Sequence, residues 1–223
     1  YGSAIFNDCE ISDNTFNADN YGEDAIGGAI RIGGPYTSGM STVHFYRSKL
    51  VNNTVTTDQP QYVHGGAIGI GGDDHNVKLV NTIVAGNLVD NNSTSGGYQT
   101  GGGGINFQGG IIQLINCTIA DNQISTNDSW TNGGSAIEGV DWNQDGDSPQ
   151  LTIFNSIVYG NTIETFASSS PMTDHTNQIY TDDSNNDGVD IYISYSLIGG
   201  DDDLGGDDIL LNLNPEFADS TYV

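Results

Sequence analysis

Positive charge is almost absent from this chain: Arg31, Arg47, Lys49 and Lys78 stand against 29 carboxylates over 223 residues, for a net charge of −25. Such a surface repels phosphate backbones and anionic lipid, which excludes nucleic acid and anionic membranes as partners. Acidity of this degree fits a high-salt habitat or loops neutralised by bound cations. Long apolar runs are missing too, so no membrane insertion by this segment is expected. Proline is scarce, and no helical apolar period is sustained; 31 glycines with abundant Asn and Asp would break one. Only two cysteines occur, Cys9 and Cys117, too few for a disulfide framework.

What the chain does have is a seven-residue phrase closing on asparagine. It reads DCEISDN at 8–14, RSKLVNN at 47–53, NTIVAGN at 81–87, NCTIADN at 116–122 and NSIVYGN at 155–161. The closing residues Asn14, Asn53, Asn87, Asn122 and Asn161 are spaced by 39, 34, 35 and 39 residues, and a degenerate SYSLIGG at 194–200 follows after another 39. A period of this length means stacked equivalent units. Between the phrases lies a glycine-led element: GGAIRI at 27–32, GGAIGI at 65–70, GGGINF at 102–107 and GSAIEG at 134–139.

Aligning the units puts Val43, Val77, Ile112 and Leu151 in one column and Phe45, Leu79, Leu114 and Ile153 in a second. After a bend, Leu50, Val84, Ile119 and Val158 form a third. Period-two spacing turns these inward and His44, Lys78, Gln113 and Thr152 outward. In the glycine-led strand it turns Ile30/Ile32, Ile68/Ile70 and Ile105/Phe107 inward, and Arg31, Gly69, Asn106 and Glu138 outward, a column where a groove for an extended sugar chain could lie. Short strands that cannot bury an apolar face alone are satisfied by stacking coil on coil at about 4.8 Å. The predicted fold is therefore all-β, a parallel β-helix of five to six coils over 1–223 in one domain. Because the chain opens at Tyr1 and its first phrase lacks a full glycine-led strand before it, this domain reads as a fragment of a longer protein.

The closing asparagines are expected to hold left-handed corners and to bond one another from coil to coil as a structural ladder. The glycine pairs are expected at the other tight corner. Gly102 to Gly104 is not read as a phosphate cradle, because a strand rather than a helix follows it. Cys9 and Cys117 share one repeat position, three coils and about 14 Å apart, too far for a disulfide and suited to the core.

The GGAI element followed by apolar-x-x-Asn resembles the GGAI/FxxN repeats of polymorphic outer-membrane proteins. It is similar as well to secreted bacterial right-handed parallel β-helix repeat proteins, and YSLIGG with NPEF at 214–217 looks like their closing coil. Leu, Val or Ile replaces the Phe of FxxN in every copy, and the fourth glycine-led strand reads GSAI. The resemblance implies a right-handed coil, an extracellular or cell-surface location, and an adhesin or stalk or, alternatively, a carbohydrate-active enzyme or carbohydrate-binding module.

Two acidic loops read D-x-N-x-D-G, the front half of a calcium loop in which alternate oxygens wrap a hard cation. The first supplies Asp141, Asn143, Asp145 and Asp147, and the second Asp183, Asn185, Asp187 and Asp190. Neither closes on Glu; Thr152 and Ser194 stand at that position, so the last ligand of a Ca2+ site must come from elsewhere. Asp73-Asp74-His75 and the aspartates at 201–203 and 207–208 read as solvated turns. Two carboxylates flanking a bond would be needed for glycoside hydrolysis, and Glu138 with Asp141 is the weak catalytic alternative. The expected role is a structural or adhesive rod presenting variable loops. Surface glycans, or further copies of the chain joined end to end as a filament, are the expected partners.

Overall fold

The computed structural model describes residues 2–18, 24–34, 39–59, 61–72, 75–94, 99–127, 131–140, 149–165, 177–181, 188–199 and 210–211. It is a parallel β-helix in which each full turn contributes one short strand to each of five parallel sheets. Sheet 1 runs through Ser3–Asn7, Thr42–Tyr46, Asn76–Val80, Ile111–Ile115, Gln150–Phe154 and Asp190–Ser194. Sheet 2 follows after one corner, through Glu10–Ser12, Lys49–Val51, Ile83–Ala85, Thr118–Ala120, Ile157–Tyr159, Leu197–Ile198 and Leu210–Leu211. Sheet 3 is Thr15–Asn17, Thr54–Thr57, Leu88–Asn91, Gln123–Thr126 and Thr162–Thr165. Sheet 4 is Ala25–Ile26, Val63–His64, Thr100–Gly101 and Thr131–Gly133; sheet 5 is Ile30–Ile32, Ile68–Ile70, Ile105–Phe107, Ile137–Gly139 and Ile179–Thr181.

The predicted columns pair as aligned: Val43 on Val77 on Ile112 on Leu151, Phe45 on Leu79 on Leu114 on Ile153, and Leu50 on Val84 on Ile119 on Val158. All are buried. The expected coil count is corrected downward, to about four turns. The fifth pass has no sheet-4 strand among the described residues, and the sixth phrase contributes only to sheets 1 and 2.

Two features of the turn differ from the two-strand unit that periodicity predicts. First, there are two cores. Sheets 1, 2 and 5 enclose the larger one, while Val55, Val63, Val89 and Ile124 of sheets 3 and 4 form a smaller one with Ala18 and Ala25. Second, the glycine pair is more than a corner. Its first member has a positive φ at Gly27, Gly65, Gly102 and Gly134, as a left-handed corner requires. The second member lies where sheets 3 and 5 pinch together: a Cβ on Gly28 would meet the Thr54 backbone at 2.7 Å, and one on Gly66 the Leu88 nitrogen at 2.9 Å. In the fourth copy Ser135 takes this position, fully buried, with its Oγ donating to Asn177 O at 3.1 Å.

The left-handed corners themselves fall one residue before the predicted positions. Positive φ occurs at Asp13, Asn52, Gly86, Asp121 and Gly160, each immediately ahead of a closing asparagine. The asparagine must aim its amide inward to stack, so the preceding residue makes the bend. The same geometry recurs at the corner from sheet 1 to sheet 2, at Asp8, Arg47, Asn81, Asn116, Asn155 and Tyr195. Asn, Asp and Gly tolerate this backbone; Arg47 and Tyr195 are the strained exceptions.

Candidate functional site: a sealed Glu–His pair beside an asparagine ladder

The ladder is built as predicted, with side-chain amides bonded from turn to turn along the neck between the cores. Asn14 Nδ2 donates to Asn53 Oδ1 (2.9 Å), Asn53 to Asn87 (3.0 Å), Asn87 to Asn122 (2.8 Å) and Asn122 to Asn161 (2.8 Å). Each inner Oδ1 also accepts the backbone N–H of the preceding rung. Each inner amide further donates to a carbonyl of the previous turn, as Asn122 does to Val84 O at 3.0 Å and Asn161 to Ile119 O at 3.1 Å. Every hydrogen-bonding position of these buried amides is thus filled. The last rung hands over to a different residue, because Asn161 Nδ2 donates to Gln178 Oε1 at 2.7 Å.

A second, shorter ladder runs along the corner from sheet 1 to sheet 2, and it absorbs the cysteines. Ser156 Oγ accepts the Cys117 N–H at 2.9 Å and donates to Phe154 O at 2.9 Å. Thr82 and Ser48 donate to the carbonyl two residues back in the same way, and the Cys117 thiol does so to Ile115 O at 3.3 Å. Both cysteines are free; Cys117 is buried, Cys9 half-buried. Burial pushes the Cys117 thiol up, so thiolate is scarce there. Brief treatment of the native chain with iodoacetamide should label Cys9 and spare Cys117, with both labelled in urea. Equal native labelling by mass spectrometry would contradict this placement.

Glu138 lies on the face of sheet 5 that points away from the large core, as period-two spacing predicts, but that face is not open. Sheet 4 covers it. Glu138 and His64 are both fully buried, and His64 Nδ1 lies 2.7 Å from Glu138 Oε2 across 74 residues of sequence. Asn106, one turn earlier in the same column, donates Nδ2 to the same oxygen at 2.8 Å. We assign the Nδ1 proton to His64, so that the carboxylate accepts from both neighbours. Tyr62 stacks over the imidazole with ring centroids 6.2 Å apart.

The carboxylate lies flat against Gly101, where any Cβ would occupy the same space. Among the described residues Glu138 Oε1 and Asn106 Oδ1 are buried without a hydrogen-bond partner, a desolvation cost of about 1–3 kcal/mol each. In the same column a Cβ on Gly69 would run into Ile26 of sheet 4, so the sheets approach within glycine distance there as well. Asp24, beside the cluster, is held above the usual carboxylate range by burial, with His64 and Arg31 pulling it partly back. Its contribution to stability is therefore greatest at acid pH and declines as pH rises through its folded-state pKa.

A Glu–His pair at hydrogen-bond distance has the parts for proton transfer, but no substrate atom can reach a fully covered carboxylate. The reading of Glu138 as an outward groove residue is corrected: it ties sheet 4 to sheet 5. What sequence reasoning missed is His64, next to the glycine pair, and the available signal was the outward column itself. Gly69 is a poor choice for a solvated strand position. His75 is likewise structural. Its Nε2 lies 3.0 Å from Gly71 O, and its Nδ1 accepts the Ser41 N–H at 3.2 Å, which fixes a neutral ring protonated at Nε2.

The remaining candidates fall largely outside the described residues. Asp141, Asn143, Asp145, Asp147, Asp183, Asn185 and Asp187 all do; Asp190 is exposed at the start of the last sheet-1 strand. Among the described residues no group of three or more His, Cys, Asp or Glu side chains is placed to hold a metal ion. Thr152 and Ser194 sit on sheet 1. Among the described residues no helix is long and apolar enough to cross a membrane. The comparisons with known proteins return nothing: no protein-family model matches the chain, and no curated protein or solved structure matches it either.

Proposed function

We propose that this chain is part of an extracellular or cell-surface rod with a structural or adhesive role, presenting loops of varied length from a rigid β-helix. The observation that carries this reading is the unbroken asparagine ladder. Five consecutive asparagine rungs are joined by side-chain amide hydrogen bonds, while the spacing between rungs varies from 34 to 39 residues. Length changes are absorbed outside the strands, so the frame stays constant as the loops differ. The likeness of the GGAI and apolar-x-x-Asn elements to surface-protein repeats supports the location, and the strongly acidic composition supports stiffening by calcium in the loops at 141–147 and 183–190.

Calcium is tested by melting the chelator-treated chain with and without the ion. A ligand that binds only the folded state at a hundred times its Kd adds about 2.7 kcal/mol. A rise in Tm of several degrees is expected, and no rise removes calcium from the proposal. The adhesive role is tested on a glycan array in both conditions. Binding without turnover fits the rod; binding followed by cleavage of the bound polysaccharide would replace it with an enzyme.

A further inference from the structure

The outer face of sheet 1 is unlike the rest of this molecule. Six of the eight large hydrophobic side chains exposed among the described residues lie on sheet 1, on sheet 2 or at the corner between them: Ile5, Ile83, Ile111, Phe154, Tyr192 and Tyr195. Phe154 and Tyr195 meet edge to face at 5.5 Å. No strand of sheets 1 or 2 between Thr42 and Tyr159 contains an Asp or Glu, although the chain carries 29. Sheet 1 instead presents His44 and Lys78 in its central outward column, and its only carboxylate is Asp190 at one end. The acid-poor face is formed by six strands in unbroken register.

We propose that this face is the interface through which two copies of the chain pair side by side. This goes beyond the rod reading and differs from end-to-end growth, because it uses a sheet face and not a strand edge. Two molecules of charge −25 repel each other from almost any direction. Face-to-face approach over sheet 1 sets no row of carboxylates against another among the described strands.

A two-fold pairing with antiparallel axes is self-complementary in charge. It places Tyr192 on the partner's Ile5, His44 on the partner's Thr152 and Lys78 on the partner's Gln113. Asp190 then faces the partner's Ser3, so no like charges meet. Six strands about 4.8 Å apart and five residues wide make a patch of about 500 Å². A pair would bury about 1,000 Å², the lower limit for a specific interface. The association is accordingly weak and governed by salt: at high ionic strength the repulsion between the acidic surfaces is screened, while apolar burial is retained.

Sedimentation equilibrium of the full chain in 0.05 M and 2 M NaCl decides the matter. The expected result is monomer at low salt and a growing dimer fraction at high salt. Phe154→Glu combined with Ile111→Glu should abolish the dimer with unchanged circular dichroism, whereas Phe16→Glu on sheet 3 should leave it intact. If the double variant fails to fold, Tyr192→Glu serves in its place. A wild-type chain that stays monomeric in 2 M NaCl up to about 1 mM overturns the proposal. So does dimer formation by a folded sheet-1 variant at the wild-type level, or its loss in Phe16→Glu alone. Saturable binding of a neutral glycan by a monomer that the same variants abolish would reassign the face to carbohydrate.

Discussion

Asn122→Ala should destabilise the chain by about 4 kcal/mol, lowering Tm on the order of 10 °C in a chain of this length. The side chain removed is fully buried and makes four hydrogen bonds. Its loss takes the acceptor from the Asn87 N–H and side-chain amide, and a donor from both Val84 O and Asn161 Oδ1. Each buried group left without a partner costs about 1–3 kcal/mol, partly relieved where a second partner remains. Asn122→Asp should be no milder, because an oxygen replaces Nδ2 opposite two acceptors and brings a charge into the neck. Asn14→Ala is the control: Asn14 is an exposed end rung, and its loss should cost less than about 1 kcal/mol. Thermal or urea melts of the three variants check the ordering. If Asn122→Ala melts within a degree or two of the wild type, the ladder does not hold the neck.

Glu138→Ala is the second large effect, about 3–5 kcal/mol, because it leaves the donors of His64 and Asn106 aimed at an empty, covered space. Glu138→Gln keeps the shape and an acceptor oxygen, and should cost less than half as much. Gly101→Ala should resemble Glu138→Ala in severity, since the added methyl and the carboxylate cannot share one position. Combining Gly101→Ala with Glu138→Ala should then cost less than the two singles together, the coupling expected of side chains in direct contact. Strict additivity in urea denaturation would show that the two positions do not act on each other.

The ladder and the three columns of the large core are legible in the sequence because a solenoid repeats its solution. Identical positions stack, so Val43, Val77, Ile112 and Leu151 announce themselves by recurrence. Sheet 4 was not legible. Its strands are two or three residues long, too short for periodicity to register, and they hold Ala25, Val63, Thr100 and Thr131 in one column with no common chemistry. Without sheet 4, the face bearing Asn106 and Glu138 reads as solvent, and a buried pair reads as a groove. The corner was displaced by one residue for a related reason. Asn tolerates the left-handed backbone, but its side chain was needed elsewhere, and Asp13, Gly86 or Gly160 served equally well beside it.

The asparagine ladder also gives the molecule an electrical direction. Backbone carbonyls in a sheet alternate in orientation and largely cancel. The side-chain amides do not alternate: from Asn14 to Asn122 each gives one N–H to the oxygen of the following rung, and from Asn53 to Asn161 each oxygen faces the preceding rung. Their dipoles add along the axis, as peptide dipoles do in a helix, with the positive pole toward Gln178 and the negative pole at Asn14. The two ends of the stack therefore differ in local potential, a polarity superimposed on the net charge of −25.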